Sequence, residues 1–361
     1  MRTSAGATDR TGRRVVESRQ RGRDHLLIAF VPTLTGSSPW VLAGALLVGC
    51  VLLYYGAHWL VRGAVTIATA LGISKMVIGL TLVAFGTSAP EMFVNVIAGF
   101  RGETGIALAN VSGSNLTNFC VGFGMCALAA SVVVDWRSFR ADCWMAVTSA
   151  ALVLGFLVVR GTAGLPFWSL APLAGLLVAY LVTLRRRARA RPEENGEVVG
   201  GGKLLAHVGL FLLGVAMLYA GGRVVLEAAV ETARQLSIPA PLIGLTIVAA
   251  GTSVPDTFAS LIAARQGEHG IAVGNLLGSN ISNVLVVLSA TLLASQSGLS
   301  TGGDLYQVRD YAMVVLVSIL FLLLAALRGG VNRSWGIVFI ATYFAYMAYR
   351  IYISLPSVAA A

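Results

Sequence analysis

Ten apolar stretches recur along the chain with short polar breaks between them, and each has about the 20 residues that a helix needs to cross a bilayer. Because backbone polar groups in lipid must be paired inside the spanning segment, we expect these stretches to be helices. The pattern therefore predicts an all-α membrane protein with ten transmembrane helices. The predicted spans are 39–61, 72–100, 104–131, 141–160, 165–185, 203–224, 238–265, 269–294, 308–328 and 334–354.

Composition agrees with this interpretation and leaves no room for a soluble domain. Of the 361 residues, 57% are hydrophobic and only 12% are charged. The formal net charge of +10 would suggest nucleic acid in a soluble chain, but here the basic residues lie at span ends and in a linker at 186–202. We expect membrane lipid as the partner, no nucleic acid and no obligate protein partner.

Lysine and arginine are distributed unevenly between alternate loops. Loops on the side of the 186–202 linker carry thirteen basic residues, and the opposite loops carry six. The positive-inside rule therefore predicts a cytoplasmic linker, with both termini outside, in the inner (plasma) membrane of the cell. Residues 1–38 do not fit, since they carry seven arginines at an outer end. They lack the apolar core of a secretory signal, so we expect a disordered basic tail or a wrongly assigned start codon.

An internal repeat links two distant parts of the chain. The stretch 81–119 returns without a gap at 246–284, so that Glu91 matches Asp256 at an offset of 165 residues. Weaker similarity upstream extends the repeating unit to five spans. Because an odd number of spans reverses the direction of the chain, we predict two inverted five-helix repeats, as in secondary transporters. The predicted halves are 39–185 and 203–354, with the repeats at 81–124 and 246–289.

The GTSAPE motif at 86–91 combines a predicted helix break with oxygen donors. Pro90 has no N–H and its ring crowds the carbonyl four residues back, so the helix should break there. Irregular backbone at membrane depth is tolerated only against protein or a wet cavity, which predicts an ion site at the centre of the protein. The predicted donor side chains are Thr87, Ser88, Glu91, Ser114 and Asn118 in the first repeat and Thr252, Ser253, Asp256, Ser279 and Asn283 in the second.

These side chains are all hard oxygen donors, a set that suits sodium and calcium rather than zinc or copper. Two carboxylates balance one calcium ion, and the same oxygens could hold sodium ions instead. Competition for shared ligands would then couple two ion fluxes. We predict calcium and sodium as transported ions and no cofactor.

The paired motifs, GTSAPE with GSNLTN and GTSVPD with GSNISN, resemble the two alpha repeats of the calcium/cation antiporter superfamily, the sodium/calcium exchangers. This resemblance implies a ten-helix antiporter that drives calcium out against inward sodium by alternating access. It also implies that Glu91 and Asp256 hold calcium, and it adds the carbonyl oxygens of Ala84 and Ala249 to the site. Asn283 is an amide where potassium-dependent relatives carry an acid, which disfavours potassium coupling.

Other functions remain compatible with the sequence. A proton/calcium exchanger would use Glu91 and Asp256 as protonatable groups, and a potassium-dependent sodium/calcium exchanger would keep the same core. A cation channel could use the same acids as a ring, although inverted repeats argue against it. An enzyme is not expected, because the sequence offers neither a nucleophile with a base nor a catalytic metal-ligand set.

Several polar residues have simpler explanations. Both acids could pair with a basic residue as structural bridges, but the motif spans offer no lysine or arginine at that depth. The remaining amides, at 110, 115, 275 and 280, are explained equally well by hydrogen bonds between helices. Four further acids lie at predicted span ends, where we expect solvated charges: Glu103, Asp135, Asp142 and Glu268.

Overall fold

The structure, a computed structural model, describes residues 34–190, 201–236, 249–301 and 306–359. Most of these residues are helical, which confirms the predicted all-α class. The helices are α1 (Pro39–Leu71), α2 (Lys75–Ile78), α3 (Ala84–Arg101), α4 (Thr104–Thr117), α5 (Phe123–Ala129), α6 (Trp136–Arg160), α7 (Leu170–Ala190), α8 (Gly201–Gln235), α9 (Ala249–Gly251), α10 (Val254–Arg265), α11 (His269–Ser282), α12 (Leu288–Ser295), α13 (Tyr306–Arg328) and α14 (Arg333–Ala359).

Some neighbouring helices are continuous through π-helical turns. These turns, at Gly79–Val83, Asn118–Gly122 and Asn283–Val287, join α2 to α3, α4 to α5 and α11 to α12. A π-helical turn widens the helix by one residue and often occurs at functional sites. Two of the three begin at asparagines that the sequence predicts as ion ligands.

Seven helical stretches within the described ranges are long and apolar enough to cross a membrane. An eighth is added if Lys75–Ala89 and Glu91–Arg101, which meet at an angle of 54°, form one bent span. The chain is therefore a multi-pass membrane protein. The basic tail up to residue 33 and the start of the predicted seventh span, residues 237–248, lie outside the described residues.

Helices α1 and α8 are about ten residues longer than their predicted spans, because polar residues in their last turns do not end the helix.

Helices α1 and α8 pack antiparallel, with their backbones in contact. A Cβ atom added at Gly56 would lie 2.9 Å from the amide nitrogen of Leu218, and one at Gly63 would lie 2.8 Å from the carbonyl oxygen of His207. Gly49 meets Gly221 in the same way. Small residues permit this close approach, which is a common basis for helix association in membranes.

Short backbone pairings connect loops that are far apart in sequence. Strand β1 (Val132–Val133), after α5, pairs antiparallel with β2 (Gly330–Val331), after α13. Leu165 and Leu299 form a second, isolated antiparallel bridge, with N to O distances of 2.9 and 2.7 Å. Each pairing therefore joins a loop of the first half of the chain to a loop of the second.

The expectation that Asp142 carries a solvated charge is wrong. Helix α6 begins at Trp136, five residues before the predicted span, so Asp142 lies inside the helix and its side chain is completely buried. Its Oδ2 accepts a hydrogen bond from Arg187 Nη1 at 2.7 Å, and its Oδ1 accepts one from Tyr180 at 3.1 Å. Asp135 remains exposed, as predicted, and caps α6.

Candidate cation-binding site

Asp256 lies at a break between two helices of the second repeat. Helix α9 ends at Gly251, and α10 begins at Val254 with Pro255 in its first turn, where a missing N–H costs no hydrogen bond. Asp256 follows in the same turn and is fully buried. The free N–H groups at a helix start favour a negative charge there. The predicted break is therefore present in this repeat.

The equivalent segment of the first repeat bends sharply at Pro90, where the sequence predicts a break, although helical backbone continues on both sides. Helix α3 continues from Ala84 to Arg101, and the bend of 54° falls between Ala89 and Glu91. Glu91 is buried, with 1% of its surface exposed. The two acids occupy matching positions in the sequence but differ in local backbone.

Asp256 receives hydrogen bonds from both repeats. Ser279 Oγ donates to Oδ1 at 3.0 Å, and Asn118 Nδ2 donates to Oδ2 at 3.2 Å. A second contact between the repeats joins Ser114 and Thr252, which stand one helical turn before Asn118 and Asp256, and their hydroxyl oxygens are 3.3 Å apart. The structure thus brings together five of the predicted side chains from both halves of the chain.

Glu91 has no such donors. Both of its carboxylate oxygens are buried without a hydrogen-bond partner, and the carboxyl lies close enough to Asp256 for two negative charges to repel. Within the described ranges, neither acid forms an ion pair with a lysine, arginine or histidine. Buried polar atoms are normally satisfied, so oxygens left in this way require a proton or a cation.

Further predicted ligands have oxygen atoms that are buried and unpartnered. The hydroxyls of Ser88 and Ser253 and the amide oxygens of Asn118 and Asn283 belong to this group. The amide nitrogen of Asn283 is directed to Asn115 Oδ1, 3.1 Å away, and not to either acid. Of the two predicted backbone ligands, the Ala84 carbonyl lies 3.3 Å from the Thr87 hydroxyl oxygen, and Ala249 lies in α9, three residues before Thr252.

The asparagines at 110, 115, 275 and 280, for which the sequence leaves open a role at the site or between helices, make different contacts in the structure. Asn275 Nδ2 donates to the backbone oxygen of Asp256 at 3.1 Å and to Ser260 Oγ at 2.9 Å. Asn115 Nδ2 donates to the Asn280 carbonyl at 3.2 Å, across the two repeats. Asn280 Nδ2 donates to Leu276 O in its own helix, Asn280 Oδ1 is buried without a partner, and so is Asn110 Nδ2.

Two polar residues near the acids lie outside the set of ligands that the sequence predicts. Asn95 lies one helical turn after Glu91, and its Nδ2 donates to the Glu91 carbonyl at 2.8 Å. Ser260 lies one turn after Asp256 and accepts the bond from Asn275. Both follow their acid by four residues, so a search for polar groups one turn after each motif would have found them.

The chemistry of these groups indicates a site for a hard cation. The donors are hydroxyl, amide and carbonyl oxygens around two carboxylates, which is the ligand type of sodium and calcium. In the part of the chain that the structure describes, no group of three or more histidine, cysteine or acidic side chains is arranged to hold a metal ion. A cation held here would be bound mainly by neutral oxygens.

Comparison with known proteins gives the family. The family described as sodium/calcium exchanger protein matches residues 41–185 and 206–352. The protein CaxA from Alkalimonas amylolytica is 33% identical over 313 residues, which are 83% of this chain and 95% of CaxA. The sodium/calcium exchanger MaX1 from Methanosarcina acetivorans is 28% identical over 346 residues, covering 85% of this chain and 98% of MaX1.

Solved structures of the sodium-calcium exchanger NCX_Mj resemble the fold. One of them superposes with a TM-score of 0.72 at 28% sequence identity and covers 85% of this chain and 98% of that chain. The relatives are transporters and not catalytic enzymes. The matched residues extend over both halves of the chain, and the chain therefore belongs to the sodium/calcium exchanger protein family, as a membrane ion antiporter.

Proposed function

We propose that the protein exchanges calcium for sodium across the membrane by alternating access, with Glu91 and Asp256 as shared anionic ligands. The observation that carries this proposal is the pair of buried Glu91 oxygens, which have no hydrogen-bond partner and lie within electrostatic range of the Asp256 carboxylate. A divalent cation would neutralise both charges at once. MaX1 and NCX_Mj, which resemble this chain, are named as sodium/calcium exchangers.

The proposed ligands form two groups around these acids. Asp256 has its charge partly stabilised by neutral donors, whereas Glu91 depends on the ion. Sodium ions would compete for the same oxygens, which gives the coupling between the two fluxes. The further ligands that we assign to calcium or sodium are the side chains of Thr87, Ser88, Ser114, Asn118, Thr252, Ser253, Ser279 and Asn283 and the carbonyl oxygens of Ala84 and Ala249.

We also propose the ten-helix architecture of two inverted five-helix repeats. The packing of α1 on α8 supports it. Gly49 and Gly56 match Gly214 and Gly221 in the other half at the offset of 165 residues. Gly49 contacts Gly221, and Gly56 contacts Gly214. Exchange of each glycine for its match in the other half turns one contact into the other, as expected if a two-fold axis relates the halves. In the inner membrane, the excess of basic residues would keep residues 186–202 in the cytoplasm and the termini outside.

The proposal is tested by calcium uptake into proteoliposomes that hold the purified protein. We expect an outward sodium gradient at fixed pH to drive uptake of labelled calcium, with equal rates with and without potassium. Empty liposomes and equal sodium on both sides provide the controls. Uptake that ignores sodium but follows a proton gradient would replace this function by proton/calcium exchange.

Proton/calcium exchange is the second candidate, because a proton on Glu91 would also satisfy its buried oxygens. The same assay separates the two, since the proton and sodium gradients are imposed one at a time. Calcium flux without any counter-gradient of sodium or protons would instead indicate a channel.

A further inference from the structure

Asn275 connects the two bent or broken helices of the site. Its Nδ2 donates to the backbone oxygen of Asp256 at 3.1 Å, while its Oδ1 lies 3.0 Å from the hydroxyl oxygen of Thr87 in the other repeat. The residue is completely buried in α11. Both ends of one amide group therefore contact the segments that carry the proposed ligands.

The Thr87 hydroxyl has only one proton and four possible acceptors: three oxygens within 3.3 Å and the Asp256 carboxylate, with which it also interacts. Its Oγ1 lies 3.0 Å from Asn275 Oδ1, 2.9 Å from the Val83 carbonyl and 3.3 Å from the Ala84 carbonyl. A carbonyl oxygen has two lone pairs, and a helix N–H uses one of them. If Thr87 donated to the Ala84 carbonyl, it would occupy the lone pair that a cation requires.

We propose that Asn275 is a positioning residue that accepts the Thr87 proton and so leaves the Thr87 hydroxyl oxygen and the Ala84 carbonyl directed at the transported cation. The Asn275 amide is fixed for this role, because its Nδ2 is held by Asp256 and Ser260. The acceptor oxygen must then face Thr87. This inference rests on the proposed function, since it assigns an indirect role at the same site.

The matching residue of the first repeat is arranged differently. Asn110 stands 165 residues before Asn275, and its Nδ2 is buried without a partner. The residue that matches Thr87 in the second repeat is Thr252, and its hydroxyl oxygen lies 3.3 Å from Ser114 Oγ. Among the residues that the structure describes, the amide clamp is therefore formed by Asn275 and not by Asn110, which identifies Asn275 as the residue to test.

The test compares calcium dependence of transport in proteoliposomes. For Asn275→Ala we expect the half-saturating calcium concentration to rise at least about fivefold, with the maximal rate within about twofold of wild type, because a cation ligand is misdirected while the protein still cycles. Asn275→Leu, which keeps the side-chain volume and also lacks an acceptor, carries the same expectation if the alanine variant does not fold.

Asn280→Ala is the matched control, since Asn280 lies buried in the same helix and its side-chain Nδ2 donates to Leu276 O and not to the site. We expect it to change neither parameter by more than about twofold. In a Thr87→Val background, Asn275→Ala should add no further shift, because the proton that it orients is gone. Independent, multiplying effects would overturn the inference, as would an unchanged half-saturating concentration in both Asn275→Ala and Asn275→Leu.

Failure of this inference differs from failure of the proposed function. If wild-type protein shows no sodium-driven calcium uptake, the proposed function fails. If wild-type protein transports calcium with either coupling ion and the Asn275 variants keep its half-saturating concentration, only the role of Asn275 fails.

Discussion

Arg187 Nη1 lies 2.7 Å from Oδ2 of Asp142, and the Asp142 side chain has no exposed surface. The pair joins the end of α7 to the start of α6, with Tyr180 as a second donor to the same carboxylate. The second half has a related arrangement, because Asp310 on α13 pairs with Arg350 on α14 at 3.1 Å. A buried charge pair of this kind adds little net stability, but removal of one partner leaves the other charge buried and uncompensated.

Removing one member of this pair should be costly. Arg187→Met leaves a buried carboxylate without its cation, and we expect a loss of about 3–5 kcal/mol in the free energy of unfolding. Denaturant titration of the purified protein in mixed micelles measures it. Arg186→Met, one residue away on the exposed surface, is the control and should stay close to wild type. Asp142→Leu combined with Arg187→Met should recover most of the loss, and no recovery would contradict this account.

Backbone contact between α1 and α8 leads to a second prediction. Gly56→Ala places a methyl group 2.9 Å from the amide nitrogen of Leu218, so the helices must separate, and we expect destabilisation of about 1–3 kcal/mol. Gly44→Ala, in the same helix with open space around it, should be neutral or stabilising by up to about 1 kcal/mol. Thermal unfolding of both variants compares them, and equal midpoints would argue against close packing at Gly56.

The two acids of the site give a prediction about transport. Glu91→Gln and Asp256→Asn keep the size of each side chain and remove its charge, so sodium-driven calcium uptake should fall to the background of empty liposomes. Glu103→Gln serves as the control, because Glu103 is exposed at the start of α4. We expect its uptake to equal that of wild type. Normal flux in either of the first two variants would exclude that acid as an essential ligand.

An ion pair at the start of α2 gives a prediction that depends on salt. Lys75 Nζ lies 2.9 Å from Glu268 Oε1, and both side chains are partly exposed, so the pair contributes only about 0.2–1 kcal/mol. Lys75→Glu should lower the midpoint of thermal unfolding, and Lys75→Glu with Glu268→Lys should restore it. The difference should shrink in about 1 M salt, where the screening length is near 3 Å. A double variant as unstable as Lys75→Glu would show that charge complementarity is not the cause.

Glu268 illustrates how far sequence reasoning reaches. Its position at a span end predicts a solvated charge, and its side chain is indeed partly exposed, but the partner Lys75 lies 193 residues earlier. The position of Asp142 predicts a solvated charge as well, but its side chain is completely buried. Nothing in the local sequence separates these two acids, because burial depends on which helix packs over each of them.

The sequence by itself determined that the chain lies in a membrane and repeats internally, and it identified the oxygen-bearing residues of the two motifs. Apolar length, charge distribution and residue identity are local properties, and the bilayer imposes them on every segment separately. Tertiary structure alone decided that Asp256 has donors while Glu91 has none, and that Asn275 reaches Thr87. Hydrogen bonds join atoms only a few ångströms apart, so they depend on the packing of helices that lie far apart in the chain.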